Sequence, residues 1–288
     1  MPLYERVAIV GVGLIGGSIG KALRERGLAG EVVGVGRRQT SLDKALAVEA
    51  IHRGTTRFPE GVKDADVVIV ATPVAGVVDA VRSAAFFAPK AVLTDAGSTK
   101  AEICRELREP VSPDLPQLRP GPNRWIGSHP LAGDHRTGPE AARADLLEGR
   151  TVVVTPEDDT APGLVDRVTE FWEALGAEVV RLSPEEHDWA VAATSHLPHL
   201  VASALAAATP EDWLRLAATG WGDTTRIAAG DVELWTQIFT QNRGAVLDAL
   251  RRFEHRLAQL TAAIENDDRP ALAEQLQDAK RIRDALGD

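Results

Sequence analysis

The chain has 288 residues, enough for about two domains, and 44% of them are apolar, an ordinary fraction for a protein with a packed core. Its 42 Asp and Glu against 32 Lys and Arg give a formal net charge of −10, which argues against nucleic-acid and anionic-membrane partners, since both want a basic face. The single cysteine, Cys104, excludes an internal disulfide and gives no basis for a thiolate metal cluster. The apolar N-terminal run is too short for a transmembrane helix and lacks a cleavable-signal pattern, so a cytoplasmic protein is expected.

An apolar strand at 7–10 runs into Gly11, Gly13 and Gly16, with an amphipathic helix expected over about 18–26. In a strand–turn–helix of this kind the first glycine permits the turn. The second lets backbone approach a pyrophosphate, and the third lets helix and strand pack closely. Gly11, Gly13, Leu14, Ile15 and Gly16 are therefore the expected dinucleotide loop, with phosphates at the helix N-terminus. A second strand at 32–36 ends on Gly36, where an NAD enzyme usually carries an acidic residue for the ribose hydroxyls. Here Arg37 and Arg38 follow instead. Two guanidiniums can clamp a 2′-phosphate, which favours NADP over NAD; the alternative is a solvated surface pair.

A strand at 67–71 ends in Thr72-Pro73, with a helix at 77–84 behind it. Another at 91–95 leads into Gly97-Ser98-Thr99-Lys100 and a further helix. Strands alternating with helices imply a parallel, doubly wound sheet, with ligands beyond the strand C-termini. The glycine loop, Thr72, Pro73 and Ser98 are thus expected to share one crevice. Residues 109–124 are proline-rich and read as a stiff surface excursion. A short strand at 125–128 then delivers His129. Strands at 151–155 and 178–182, around a helix at 162–175, complete a dinucleotide-binding domain over 1–183.

From 184 to 288 no strand is convincing, and a helical substrate and dimerisation domain is expected. The stretch 189–208 is apolar nearly all round, which reads as a helix buried on every side, with Pro198 kinking or restarting it. Val246, Leu250, Phe253, Leu257, Leu260 and Ile264 form a narrow apolar seam, suited to intrachain core or a subunit interface. A short polar helix over about 270–286 ends the chain.

Five of the seven histidines lie between 129 and 199. Their spacing fits no metal motif, and no metal is expected. His129, just after a strand beside the nicotinamide crevice, has the setting of a base that accepts a hydroxyl proton during hydride removal. Ser98 is placed to bind the same hydroxyl or orient the imidazole. Arg226, within Gly222-Asp223-Thr224-Thr225-Arg226, suits a bidentate carboxylate clamp, the alternative being a surface ion pair with Asp223.

Taken together, GVGLIGGSIG (11–20), ATP (71–73), DAGSTK (95–100), GSHPLAG (127–133), HD with SHLPH (187–199) and GWGDTTRIA (220–228), with Trp235 beyond, resemble the prephenate/arogenate dehydrogenases of tyrosine biosynthesis. The resemblance spans about residues 5–265. It implies a Rossmann-like doubly wound sheet followed by an all-helical dimerisation domain, and a homodimer. It also implies oxidative decarboxylation: hydride leaves C4 of a cyclohexadiene for NADP or NAD, the C4 hydroxyl proton goes to a base, and carbon dioxide leaves C1.

By motif, the resemblance implies His129 as catalytic base, Ser98 on the C4 hydroxyl, and Arg226 on a substrate carboxylate. It implies His199 near the substrate side chain, with Ser195, His196 and Trp235 lining the pocket. Asp188 would support the histidines, and Asp223 an ion network reaching a neighbouring subunit. His199 favours prephenate, whose keto acid a histidine can bind, over arogenate. Asp134-His135 stands where many relatives carry an acidic gating residue, and the 109–124 excursion is longer than usual. A β-hydroxyacid dehydrogenase or imine reductase is one competing reading, which does not account for SHPLAG together with SHLPH; a non-catalytic dinucleotide sensor is another, against which Ser98, His129 and Arg226 together speak.

Overall fold

The computed structural model describes residues 1–109, 124–133 and 136–287. The proline-rich stretch and the Asp134-His135 pair fall on positions outside these. The first half alternates as expected: β1 (Tyr4–Val10), α1 (Leu14–Glu25), β2 (Ala29–Val35), α2 (Gln39–Ala47), β3 (Arg53–Thr55), α3 (Phe58–Val62), β4 (Val67–Val70), α4 (Val77–Phe87), β5 (Val92–Asp95) and α5 (Ala101–Arg108). β6 (Gly127–Pro130), β7 (Thr151–Thr155), α6 (Pro162–Ala174) and β8 (Glu178–Arg181) follow. Five parallel strands take the order β3-β2-β1-β4-β5. A three-stranded sheet, β6-β7-β8, continues alongside, because Leu93 of β5 donates to the Arg124 carbonyl (2.7 Å) and accepts from Ile126 N–H (3.2 Å).

The central strands β1, β4 and β5 are buried on both faces over Val7–Val10, Val67–Val70 and Val92–Asp95, and their period of two divides the core. Val7 and Ile9 enter one cluster with Leu23, Phe171 and Trp172. Ala8 and Val10 enter the other with Val68, Val81 and Leu93. Two local readings differ from expectation. Helix α1 begins at Leu14, four residues earlier than 18, because its first turn is Leu14-Ile15-Gly16-Gly17 and glycine hides a helix from propensity. The elements α2, β3 and α3 were not signalled by any strong pattern; α3 and β3 are only 5 and 3 residues long.

The second half is helical: α7 (Pro184–Val191), a π-helical turn (Ala192–His196), α8 (Leu197–Ala208), α9 (Thr219–Thr225), α10 (Val232–Gln241), α11 (Arg243–Glu265) and α12 (Arg269–Asp284). A capping box between Ser183 and Glu186 starts α7. Pro198 lies in the first turn of α8, where its missing N–H is tolerated, and the π turn absorbs the break. The run Pro184–Ala208 is long and apolar enough to cross a membrane by length and composition alone. Here it packs on α5 and α11 and carries His187, Asp188 and His196 in hydrogen bonds to the rest of the chain.

The expectation that 189–208 is buried on every side is not met. Trp189 is 60% exposed and Leu205 39%, because one side of the run faces protein and the other faces outward. The seam behaves likewise: Val246 is buried, whereas Leu257 and Ile264 are 51% and 65% exposed.

At the end of β5, the Asp95 carboxylate pairs with the Lys100 ammonium, and both side chains are fully buried. Lys100→Ala leaves a buried carboxylate without its counter-charge and is expected to cost about 3–5 kcal/mol. Urea unfolding reads this directly, and a loss below about 1 kcal/mol, the range of an exposed pair, would show that the pair does not carry the loop.

Candidate active site

Each glycine of the loop meets a different demand. Gly11 sits at φ +97°, where a Cβ would stand 2.5 Å from the Ala71 carbonyl oxygen. A Cβ on Gly16 would stand 2.0 Å from the Gly11 carbonyl oxygen, so this glycine lets α1 close on the loop. Gly13 has nothing within 4 Å of the same position and faces open space. The first helical bond of α1 runs from Gly17 N–H to the Gly13 carbonyl (2.8 Å). The amides of Leu14, Ile15 and Gly16 are thereby left without a helical acceptor, as phosphate binding requires.

A cavity of about 750 Å³ opens beyond the C-terminal ends of β1 and β4, walled by Gly11, Gly13, Gly36, Arg37, Thr72 and Pro73. This is within the range of small-molecule sites. Phe58 of α3, Asp79 of α4 and Gln237 of α10 also line it, none of them visible from a motif. Thr72 Oγ1 and Gln237 Oε1 are buried without a protein hydrogen bond, the mark of polar atoms that a ligand satisfies. An open glycine, free helix amides and two orphaned polar atoms fit a dinucleotide. Of the two arginines, Arg37 is on the wall; Arg38 is the N-cap residue of α2 and does not line the cavity.

The chemistry-bearing histidine is set by a chain of contacts. Asp95 Oδ1 accepts from Ser128 N–H (3.1 Å), and Asp95 Oδ2 accepts from Gly97 N–H (2.9 Å) and from Lys100. One buried carboxylate thus fixes the residue before His129 and the residue before Ser98. The Ser128 hydroxyl is held in turn by Thr94 (2.6 Å) and by Trp172 Nε1 (3.0 Å). His129 is half-buried, and its Nδ1 lies 2.8 Å from Nε2 of His187. His187 Nδ1 lies 2.8 Å from Asp188 Oδ1. Asp188 also accepts from Lys100 N–H (2.8 Å) and Ala101 N–H (3.0 Å), at the start of α5.

This arrangement corrects one expectation. The imidazole of His129 is oriented by His187, and Ser98 makes no hydrogen bond to it. The Asp188 carboxylate is engaged with two backbone amides and the His187 ring. His187 was visible only as half of an HD pair; that its far nitrogen reaches back 58 positions is a property of the fold.

On the helical side, His199 stacks on Trp235 with ring centroids 3.6 Å apart and planes at 16°. Its Nδ1 is buried without a partner. Gly230 closes this stack: a Cβ there would stand 2.6 Å from Trp235 Nε1 and 2.8 Å from His199 Cε1. His196 is buried and shares the Asn242 carboxamide (3.1 Å), which also donates to the Asp188 carbonyl (2.8 Å). Ser195 is exposed on the π turn. Arg226 opens a 3₁₀ turn (Arg226–Ala229) packed against α8; its side chain is exposed, and no Arg226–Asp223 ion pair forms among the described residues. Arg226 is therefore not brought onto the His129 cluster within one chain.

Burial shapes the protonation of this cluster. His129 is held well below the usual imidazole range by burial, then by His187, Lys100 and His196. Burial also lowers His187, against the opposing pull of Asp188. It pushes His196 down to about 4 and lowers His199. The rings are neutral near pH 7, the state in which a base accepts a proton.

Two family models match the chain: "Prephenate dehydrogenase, nucleotide-binding domain" over residues 19–181, and "Prephenate dehydrogenase, dimerization domain" over residues 183–278. A cyclohexadienyl dehydrogenase of Zymomonas mobilis is 30% identical over 297 residues, 99% of this chain and 97% of that one. The crystal structure of prephenate dehydrogenase from Aquifex aeolicus, in complex with hydroxyphenyl propionate and NAD+, superimposes with a TM-score of 0.88 at 32% identity, covering 98% of each chain. Arogenate dehydrogenase of Synechocystis gives 0.79 at 30% identity, covering 98% of this chain and 99% of that one.

Depressed histidine pKa values make stability depend on pH with a definite sign. An unfolded histidine takes its proton near pH 6.5, whereas folded His196 refuses it until about 4. The unfolded state therefore binds more protons within that window, and stability falls as pH falls through it, by about 3 kcal/mol from His196 alone. Urea unfolding at about pH 7.5 and 5 is expected to show about 2 kcal/mol of this loss in the native protein and a smaller one in His196→Asn. Equal pH dependence in both would rule out His196 as its source.

Proposed function

Because the chain belongs to the prephenate dehydrogenase family, we propose that it catalyses the NADP-dependent oxidative decarboxylation of prephenate to 4-hydroxyphenylpyruvate. The observation that carries this reading is the His129–His187–Asp188 chain, in a protein that also has the dinucleotide cavity beyond β1 and β4. It leaves the Nε2 edge of a neutral, fixed imidazole as the group that meets a substrate hydroxyl. The chain is an NAD(P)-dependent oxidoreductase by its family; NADP as the preferred form, the substrate and the site residues are our own assignment.

The bound nicotinamide supplies the hydride acceptor. The protein's part is to hold the substrate and manage one proton. The glycine loop, Thr72 and Pro73 seat the dinucleotide, and Arg37, on the cavity wall next to Gly36, the position where an NAD enzyme usually carries an acidic residue, meets the 2′-phosphate with Arg38 behind it. His129 Nε2 accepts the C4 hydroxyl proton, with Ser98 on the same oxygen. As the carbon dioxide leaves and the ring becomes aromatic, that proton returns to the oxygen, since the net reaction yields a phenol.

His199, stacked on Trp235, donates to the keto-acid side chain, and Ser195 and His196 line its approach. Arg226 binds a substrate carboxylate once a second copy packs on the helical unit. We take residues 1–183 as the dinucleotide-binding unit and 184–288 as the substrate and dimerisation unit of a homodimer. The outward apolar side of α8 and α11 supports the dimer. The likeness to an arogenate dehydrogenase keeps arogenate as the second reading; its ammonium would need a carboxylate near His199.

Reduced-nicotinamide absorbance, with prephenate and arogenate each crossed with NAD and NADP, tests the proposal. Prephenate with NADP is expected to give the highest kcat/KM, and His129→Asn to lose about 10²–10⁴-fold in kcat, the usual worth of a positioned base. No turnover in any pairing, with cofactor still bound, would overturn the enzyme reading. Arg37→Ser is expected to weaken NADP binding at least about tenfold in a fluorescence titration while leaving NAD binding within about twofold, the loss of one charge-assisted phosphate contact. Equal loss for both cofactors would make Arg37 surface charge.

A further inference from the structure

Resting on His129 as the base, we propose that His187 sets the tautomer of His129 and takes over its Nδ1 proton when the substrate hydroxyl is deprotonated, so that the proton is held on His187 against Asp188 until it returns.

The hydrogen bonds dictate the protonation pattern. Asp188 accepts two backbone amides, through Oδ1 and Oδ2, so its contact with His187 Nδ1 is one in which the ring nitrogen donates (2.8 Å). A neutral His187 with its hydrogen on Nδ1 has only a lone pair on Nε2. That lone pair lies 2.8 Å from His129 Nδ1, which must then be the donor. His129 is left with a lone pair on Nε2, the nitrogen not engaged by His187. The carboxylate of Asp188 thus selects, across two rings, which nitrogen of His129 is basic.

The same line accounts for where the proton goes. The C4 O–H bond breaks, and the bond to His129 Nε2 forms. The His129 Nδ1–H bond breaks, and the bond to His187 Nε2 forms. The O–H electron pair becomes the second C4–O bond as hydride leaves C4 with its own pair for the nicotinamide. When the C1–carboxylate bond then breaks, its pair completes the aromatic ring, the oxygen becomes anionic, and both transfers reverse. Atoms and charge balance, and no proton is lost to solvent.

His187 is the better resting place on electrostatic grounds. It is fully buried and touches Asp188 directly, with Asp95 also nearby. The Lys100 cation acts against a proton on either ring, but His129 has beside it only the His187 and His196 rings and no carboxylate in contact. An imidazolium at 187 therefore has a counter-charge at hydrogen-bond distance, and one at 129 does not. His187 is thus a positioning residue that also carries the proton; it does not touch the substrate.

Two measurements test this. Nitrogen-15 NMR of the histidine-labelled native protein with NADP bound is expected to show His129 protonated at Nδ1 and bare at Nε2; a proton on Nε2 overturns the proposal, whatever the variants do. His187→Gln keeps an acceptor for His129 Nδ1–H but cannot take its proton. Its kcat is expected to fall about 10²-fold, with KM and the cofactor Kd within about threefold, the profile of a group that acts only in the transition state. In single-turnover reactions the solvent isotope effect of the native enzyme is expected to vary non-linearly with deuterium content, as two moving protons require, and that of His187→Gln linearly. A His187→Gln enzyme with native kcat, while His129→Asn is inactive, overturns the relay and leaves the base in place. Native kcat in both variants would instead mean that His129 is not the base.

Discussion

Two buried carboxylates determine where everything else in the site stands. Asp95 ties the amides of Gly97 and Ser128 and the Lys100 ammonium into one knot, so the loop after β5 and the strand β6 cannot move independently. Asp188, from the helical half, holds the amides of Lys100 and Ala101 at the start of α5. Carboxylates are costly to bury unless their lone pairs are filled by donors, and these are filled. The segment 95–101 is therefore gripped from the sheet side and from the helix side at once. Ser98 sits between the grips, and His129 follows the strand residue that one of them fixes.

The helical half meets the sheet half through irregular backbone rather than through its regular helices alone. The π turn over Ala192–His196 lies between α7, which carries His187 and Asp188, and α8, which carries His199. A regular helix through this point would change the rotation between the two groups of side chains. With the π turn, Asp188 reaches the β5–α5 loop, His187 reaches His129 of β6, and His199 reaches Trp235 of α10. Extra-residue turns of this kind recur where side-chain direction matters more than helix economy. The same α10 brings Gln237 to the dinucleotide cavity, so one helix touches the cofactor side and the aromatic stack.

Outward-facing Trp189, Leu257 and Ile264 belong to the same helices that carry or brace the site. The family model that matches this half describes a dimerization domain. In the dimer we propose, covering these side chains and completing the pocket around Arg226 are one event. That would explain why a single chain leaves an arginine suited to a carboxylate clamp exposed and unengaged.

Much of this protein was legible in order along the chain, because the signals are local. Glycines at 11, 13 and 16 behind an apolar strand specify a backbone shape with few alternatives, and the alternation of apolar runs with helices specifies a parallel sheet. His129 could be singled out because the sequence reads it as delivered by a short strand, and it lies within β6. Composition is weaker: an all-round apolar helix at 189–208 says that burial would be favourable, not that one copy of the chain provides it. The glycines at 16 and 17 likewise concealed the true start of α1, since propensity scores residues one at a time. What the tertiary structure alone decided are contacts across large sequence separations. The pairing of His129 with His187, the grip of Asp188 on the Lys100 amide and the arrival of Gln237 at the cavity depend on how two halves pack. No local pattern encodes that packing, because each partner's spacing in sequence is unrelated to its distance in space.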